Sequence, residues 1–222
     1  HGRDRRQRQM CIRDSSYNVT IGMYAGQGGT SSAPYSTGTH NVAVGYEALK
    51  GFTTGQTNVA IGGYAGASVS SGQKNVAIGY TSLNYLTDGT DSVAVGYHAG
   101  YYGTGSYNTF VGSQAGKGGT TSAPYSSGQY NVAMGTEALE GFTTANYNTA
   151  IGYQSGESIT TGTGNTFLGF RAGITATTAD YSVGIGYGAL GDATLTGNYN
   201  IGIGLNAGCL LYTSDAADDL FR

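Results

Sequence analysis

One short unit governs what this chain can fold into. Asn41-Val42-Ala43-Val44-Gly45-Tyr46-Glu47-Ala48-Leu49 recurs in near copies that begin at Asn18, Asn58, Asn75, Ser92, Asn108, Asn131, Asn148, Asn165, Ser182 and Asn200. Successive starts lie 16 to 18 residues apart, except for two steps of 23. A near-constant period of this size means stacked repeats, because one unit is too small to bury its own apolar residues and must borrow a wall from the next. A longer repetition overlies the first: Asn18 and Asn108, Asn41 and Asn131, Asn58 and Asn148, Asn75 and Asn165, and Ser92 and Ser182 are each 90 residues apart. The two longer steps carry matching inserts, Gly28-Gly29-Thr30-Ser31-Ser32-Ala33-Pro34-Tyr35-Ser36 and Gly118-Gly119-Thr120-Thr121-Ser122-Ala123-Pro124-Tyr125-Ser126. Duplication of a five-coil block explains both observations, and inserts of this kind sit on one side of a stack.

The unit reads as a short strand followed by turns. The residue after the Asn is Val, Thr or Ile, and two further on stands Ile, Val, Leu or Met, as in Val42/Val44 and Thr166/Leu168. Such an i, i+2 pair predicts a strand with that pair on a buried face. The residue between them is mostly Ala or Gly, with Phe110, Phe167 and Thr20 as exceptions. Small apolar residues on the opposite face predict a second buried surface. A coil of about 17 residues is too thin to bury both faces. This predicts several chains packed around a common axis, with the Ala/Gly face turned toward it. The Gly that follows, the aromatic position (Tyr46, Tyr80, Tyr97), a polar position expected to face water (Glu47, His98, Arg171) and the Gly/Thr/Ser/Asn stretches complete the coil as turns. The fold class is therefore all-β, a parallel β-solenoid or β-roll of eleven coils. With a rise of ~4.8 Å per coil it makes a rod of roughly 50 Å, with Asn stacked on Asn.

Composition limits what such a rod can do. Of 222 residues, 40 are Gly and 19 are Tyr, and only 10% are charged, which excludes a coiled coil; the Gly spacing lacks the period of collagen. No apolar run approaches a membrane span, so no membrane insertion is expected. Residues 17–208 form the repeat domain. Residues 1–16 and 209–222 break the pattern, hold both cysteines (Cys11, Cys209), and resemble non-native translated flanks; the chain reads as a piece of a longer fibre. Within 17–208, four basic residues face eight acidic ones, a net charge of −4, which argues against nucleic acid.

No catalytic constellation emerges, and neither enzyme activity nor a cofactor or metal is expected. His40 and His98 stand at variable repeat positions, and Glu47 and Glu137 are equivalents in the two blocks rather than a dyad. Gly184-Ile185-Gly186-Tyr187-Gly188 lacks the helix of a nucleotide loop, and Asn18-Val19-Thr20 fits a glycosylation sequon but stands at a ladder Asn. Binding is the better expectation. Tyr35 and Tyr125 in the inserts, with Tyr101 and Tyr102 in a turn, are candidates for stacking on sugar rings; the competing reading is that they pack loops onto the rod.

Asn148-Thr149-Ala150-Ile151-Gly152-Tyr153-Gln154 and Asn165-Thr166-Phe167-Leu168-Gly169-Phe170-Arg171-Ala172-Gly173 resemble the repeat arrays of phage and prophage tail-fibre proteins, and the units from Asn41, Asn58 and Asn75 resemble the β-roll head repeats of trimeric autotransporter adhesins. The resemblance covers residues 17–208. It implies a left-handed roll, a homotrimer, a virion or bacterial cell-surface location, and a role as a structural or adhesive segment in host or surface attachment through a carbohydrate receptor. The coil here is longer than in adhesin heads. An alternative is a monomeric ice-binding or surface-layer solenoid, in which Thr53-Thr54, Thr143-Thr144, Thr160-Thr161 and Thr177-Thr178 form a flat array.

Overall fold

A computed structural model describes residues 17–29, 36–119, 125–191, 195 and 197–208. The flanks and most of both inserts, including Tyr35, lie outside the described residues. Eleven three-residue strands follow one another: β1 Val19–Ile21, β2 Val42–Val44, β3 Val59–Ile61, β4 Val76–Ile78, β5 Val93–Val95, β6 Thr109–Val111, β7 Val132–Met134, β8 Thr149–Ile151, β9 Thr166–Leu168, β10 Val183–Ile185 and β11 Ile201–Ile203. They form one parallel sheet in sequence order, and equivalent residues pair, as Val42 with Val59 and Ala43 with Ala60. The chain is a β-solenoid.

Each strand ends at a glycine because nothing larger fits. Gly45 has φ +133°, and a Cβ there would lie 2.5 Å from the Gly62 carbonyl oxygen of the next coil. The corner then uses left-handed backbone at ordinary residues: Glu47 at φ 55° and Leu49 at φ 47°. These conformations cost energy and persist where neighbours over-determine them. Glu47 N–H donates to the Met23 carbonyl of the preceding coil at 3.0 Å, and Leu49 N–H to the Ala65 carbonyl of the following coil at 3.0 Å.

The strand faces are the reverse of the sequence expectation. The small middle residue points into the coil: Ala43, Ala60, Ala94, Phe110, Ala133, Ala150 and Phe167 are at most 1% exposed. The residues on either side of it point outward and are half-buried or exposed, with Ile61 at 40% and Leu168 at 43%. The Ala/Gly face is therefore the coil's own interior and not a surface turned toward an axis shared with other chains. The physical reason is space. The other walls of the coil already bring in Ala48, Leu49 and Phe52, all buried, so the strand can add only a small group. Where it adds Phe110, the gap comes from glycine: a Cβ at Gly116 would collide with the Phe110 ring, and one at Gly100 would lie 2.9 Å from it.

The Asn before β2–β4 and before β6–β9 is buried and forms the ladder that stacking predicts. Asn58 N–H donates to Asn41 Oδ1 at 2.9 Å, and Asn58 Nδ2 donates to the Gly72 carbonyl at 2.8 Å and to Asn41 Oδ1 at 3.1 Å. Ser92 keeps the ladder continuous. Its N–H donates to Asn75 Oδ1 at 3.0 Å, and its Oγ accepts from Asn108 N–H at 3.2 Å. Asn18 belongs to the ladder, its Oδ1 accepting from Asn41 N–H at 2.7 Å. Buried amides satisfied on both sides fix the coil-to-coil register.

Candidate functional site

Three of the four tyrosines singled out in the sequence come together on one corner of the rod. Tyr101 and Tyr102 stand in the turn of the fifth coil, and Tyr125 closes the insert of the sixth. The insert is tied down where it returns: Tyr102 N–H donates to the Lys117 carbonyl at 2.7 Å, Ser126 N–H to the Tyr102 carbonyl at 3.1 Å, and Gly103 pairs with Ser126 in a parallel bridge. Tyr85, from the turn one coil earlier, joins them and was not anticipated. Its ring centre is 4.6 Å from that of Tyr125, 5.4 Å from Tyr102 and 5.2 Å from Tyr101. The signal that could have found it is position, since Tyr85 and Tyr102 are the same place in adjacent coils, 17 residues apart. His98 stacks on Tyr101 at 4.7 Å and on Tyr97 at 3.9 Å, extending the patch toward the strand face.

All four clustered tyrosines are half-buried rather than freely exposed. Tyr102 lies near-parallel to both Tyr85 and Tyr125, so these rings spend part of their faces on one another. The cluster therefore packs the insert onto the rod and also leaves an aromatic rim. Burial first, then hydrogen bonding and charge from Tyr85, push the Tyr101 phenol up to about 12, so it stays a protonated donor. Burial, helped by the nearby Lys117 ammonium, lowers the His98 pKa below its ordinary value and favours neutral imidazole.

The polar position after the aromatic one does not simply face water. Glu47, His98, Gln114, Glu137 and Gln154 are half-buried, while Arg171 is exposed. Next to the aromatic corner this column and its neighbour make a hydrogen-bonding row. Lys117 Nζ lies 2.8 Å from Glu140 Oε1 and donates to Gln114 Oε1 at 3.1 Å, and Gln154 Nε2 donates to Glu137 Oε2 at 2.8 Å. Among the described residues, Glu137, Glu140 and Glu157 are the one acidic or histidine group whose ligand atoms lie close enough to share an ion, within 4.8 Å of one another. Lys117 already neutralises part of that charge. Burial, then the Glu137 and Glu140 charges, raise the Glu157 pKa, while Arg171 opposes this. Beyond it an open hollow of about 590 Å³ is lined by Glu157, Phe170, Arg171, Ile174, Tyr187 and Asn206 among others. The nucleotide-loop stretch at Gly184 is the strand β10 and its corner, and His40 stacks on Tyr17 at 5.0 Å.

Among the described residues no helix is long and apolar enough to cross a membrane. Comparison with protein-family models, curated proteins and solved structures yields no match to this chain. The site must therefore be read from its own geometry.

Proposed function

We propose that residues 17–208 are a shaft or head segment of a homotrimeric tail fibre or surface adhesin, at a virion or bacterial cell surface, that works in attachment. The observation that carries this reading is a rigid, register-locked rod holding an aromatic rim (Tyr85, Tyr101, Tyr102, Tyr125) beside a row of amide and carboxylate groups (Gln114, Lys117, Glu137, Glu140). Apolar ring surface next to paired polar groups suits a pyranose, whose C–H face stacks on aromatics and whose hydroxyls need donors and acceptors. The repeat resemblance supports the fibre context. The ice-binding alternative gains no comparable support: the Thr143 and Thr160 hydroxyls donate to the Thr160 and Thr177 carbonyls of the following coils at 2.9 and 3.1 Å, so these hydroxyls are already engaged within the rod.

The test is glycan binding by the full chain, compared with Tyr101→Ala and Tyr125→Ala, with solution mass by light scattering alongside. A mass of three chains, and saturable binding reduced at least tenfold by either substitution, is the expected result. Binding unaffected by both substitutions, or no glycan bound by a well-folded trimer, would remove the carbohydrate role from this corner. A monomer would remove the trimeric fibre.

A further inference from the structure

The hollow beyond Glu157 has its origin in the repeat. Gly188 and Gly191 of the tenth coil, both buried, form its floor. Ninety residues earlier the same two places hold His98 and Tyr101, whose rings stack at 4.7 Å in the aromatic corner. The second half lacks both rings, and the hollow opens where they are missing. The coil before contributes Arg171 and Ile174, and the coil after contributes Asn206, whose Oδ1 reaches over Gly188 to the place a Cβ would take. At about 590 Å³ the hollow falls in the size range of small-ligand sites. It lies on the same side of the rod as Tyr101, five coils or about 24 Å along it.

The walls decide what fits. Lys50 and Lys117 are paired with Glu47 and Glu140, but Arg171 is exposed and makes no ion pair among the described residues. It acts on Glu157 only through space. Its planar guanidinium presents a fork of donors that matches a carboxylate. Phe170 has Tyr153 on one face at 5.4 Å and Tyr187 on the other at 4.6 Å, both near-parallel. With its faces covered, Phe170 offers the hollow its edge, the electropositive part of an aromatic ring. Ser158 and Asn206 add neutral hydrogen-bonding groups. Glu157 is the lining group of opposing sign. Burial and the Glu137 and Glu140 charges raise its pKa, which weakens its opposition to a further negative charge. A phosphate would bring up to two charges to a single cation beside Glu157, whereas a carboxylate brings one.

We infer that this hollow is a second glycan subsite, taking a carboxylate-bearing pyranose whose carboxylate pairs with Arg171 and whose ring lies over Gly188 and Gly191. The inference rests on the attachment reading above and adds to it a site and a ligand class.

The experiment titrates the full chain with labelled oligogalacturonate and with oligosialic acid, two sources of such a sugar, and with the methyl ester of each, which keeps the ring and loses the charge. The expected result is saturable binding of at least one acid, weakened about tenfold or more by esterification or by Arg171→Gln. Gly188→His restores the side chain that His98 carries at a similar φ, 55° against 63°, and should abolish binding with solution mass and melting unchanged. Arg171→Gln, at an exposed position, keeps the test decisive if Gly188→His disturbs the coil. Glu157→Gln removes the like charge and should tighten binding about two- to threefold. Binding of neither acid, equal binding of acid and ester, or acid binding unchanged by Arg171→Gln would overturn the inference. Where glycan binding that depends on Tyr101 and Tyr125 persists in those cases, the attachment reading stands. A folded parent that binds no glycan at all would overturn both.

Discussion

In the fourth coil Ala77, Leu83 and Leu86 fill the interior; ninety residues on, in the ninth coil, the same three places hold Phe167, Gly173 and Ala176, and all are buried. The two sets carry nearly the same number of side-chain carbons, redistributed from two walls to one. A Cβ at Gly173 would lie 2.5 Å from the Phe167 ring, so the glycine is the condition for the phenylalanine. The outer surface is not compensated in this way. Lys50 pairs with Glu47 at 3.1 Å in the first half; its equivalent in the second half is Glu140, paired instead with Lys117 from the coil before. Ala67 becomes Glu157, and Tyr46 becomes Thr136. At this pair of coils the duplicated halves have kept their interior volume while their surfaces diverged, which is what a solenoid permits when stability is a sum of local terms and nearest-neighbour contacts.

The severest challenge to that equivalence is the corner glycine. Gly45→Val and Gly135→Val each place a side chain at φ +133° and +132°, against a neighbouring carbonyl 2.5 Å away. Each should cost more than about 4 kcal/mol, by the combined strain and clash, in denaturant unfolding. A tolerated substitution in one half only would show that the halves are not equivalent in backbone. Next comes the redistributed core. Phe167→Ala should cost about 3–5 kcal/mol, whereas Phe167→Ala with Gly173→Leu and Ala176→Leu, which rebuilds the fourth coil's pattern in the ninth, should return to within about 1.5 kcal/mol of the parent. Leu49 and Leu139 already occupy that left-handed position at φ 47° and 53°, so the backbone admits leucine there.

The ladder gives a smaller effect. Asn148 Oδ1 accepts from Asn165 N–H at 2.9 Å and its Nδ2 donates to the Gly162 carbonyl at 2.8 Å. Asn148→Ala leaves these groups buried without partners, at about 2–3 kcal/mol. Asn148→Ser should cost less, because Ser92 and Ser182 hold the same place in each half. The smallest effect belongs to a surface difference. The Glu157 pKa is raised from its ordinary value of 4.5, so its favourable contribution is present when it is protonated, below that value, and is lost as pH rises through the raised pKa. Glu157→Gln should therefore stabilise at pH 7 and have no effect near pH 3. After solvent screening of a half-exposed group the gain is about 0.5 kcal/mol, or roughly 1–2 °C in thermal melting. An equal gain at both pH values would mean the carboxylate charge is not the cause.

The spacing of Asn, β-branched residues and Gly located all eleven strands, the parallel stacking and the Asn ladder. Which way the strands face was not legible from alternation. Alternation says that Val42 and Val44 share one side and Ala43 takes the other, but the hydrophobic scale favours burying Val. The interior volume decides the matter, and it depends on Leu49 and Phe52 arriving from other walls, which only the closed coil reveals. At the aromatic corner, Tyr101, Tyr102 and Tyr125 were readable as loop aromatics. Their meeting with Tyr85 depends on a coil-to-coil register that superposing the repeats supplies and a linear reading does not.

The Asn ladder has a further consequence. Each rung donates from its own N–H toward the side-chain oxygen of the rung before it, an Oγ where that rung is Ser92 or Ser182 and otherwise an Oδ1, and where Asn side chains pair the Nδ2 points the same way: Asn58 to Asn41, Asn148 to Asn131, Asn165 to Asn148. The amide dipoles therefore add along the rod instead of cancelling, and aligned hydrogen bonds polarise one another. The two faces at the ends of the stack are chemically unlike, one offering acceptors to an incoming rung and the other donors. Two such stacks can be joined end to end without a mismatched rung only head to tail, so any filament built by continuing this ladder has a direction.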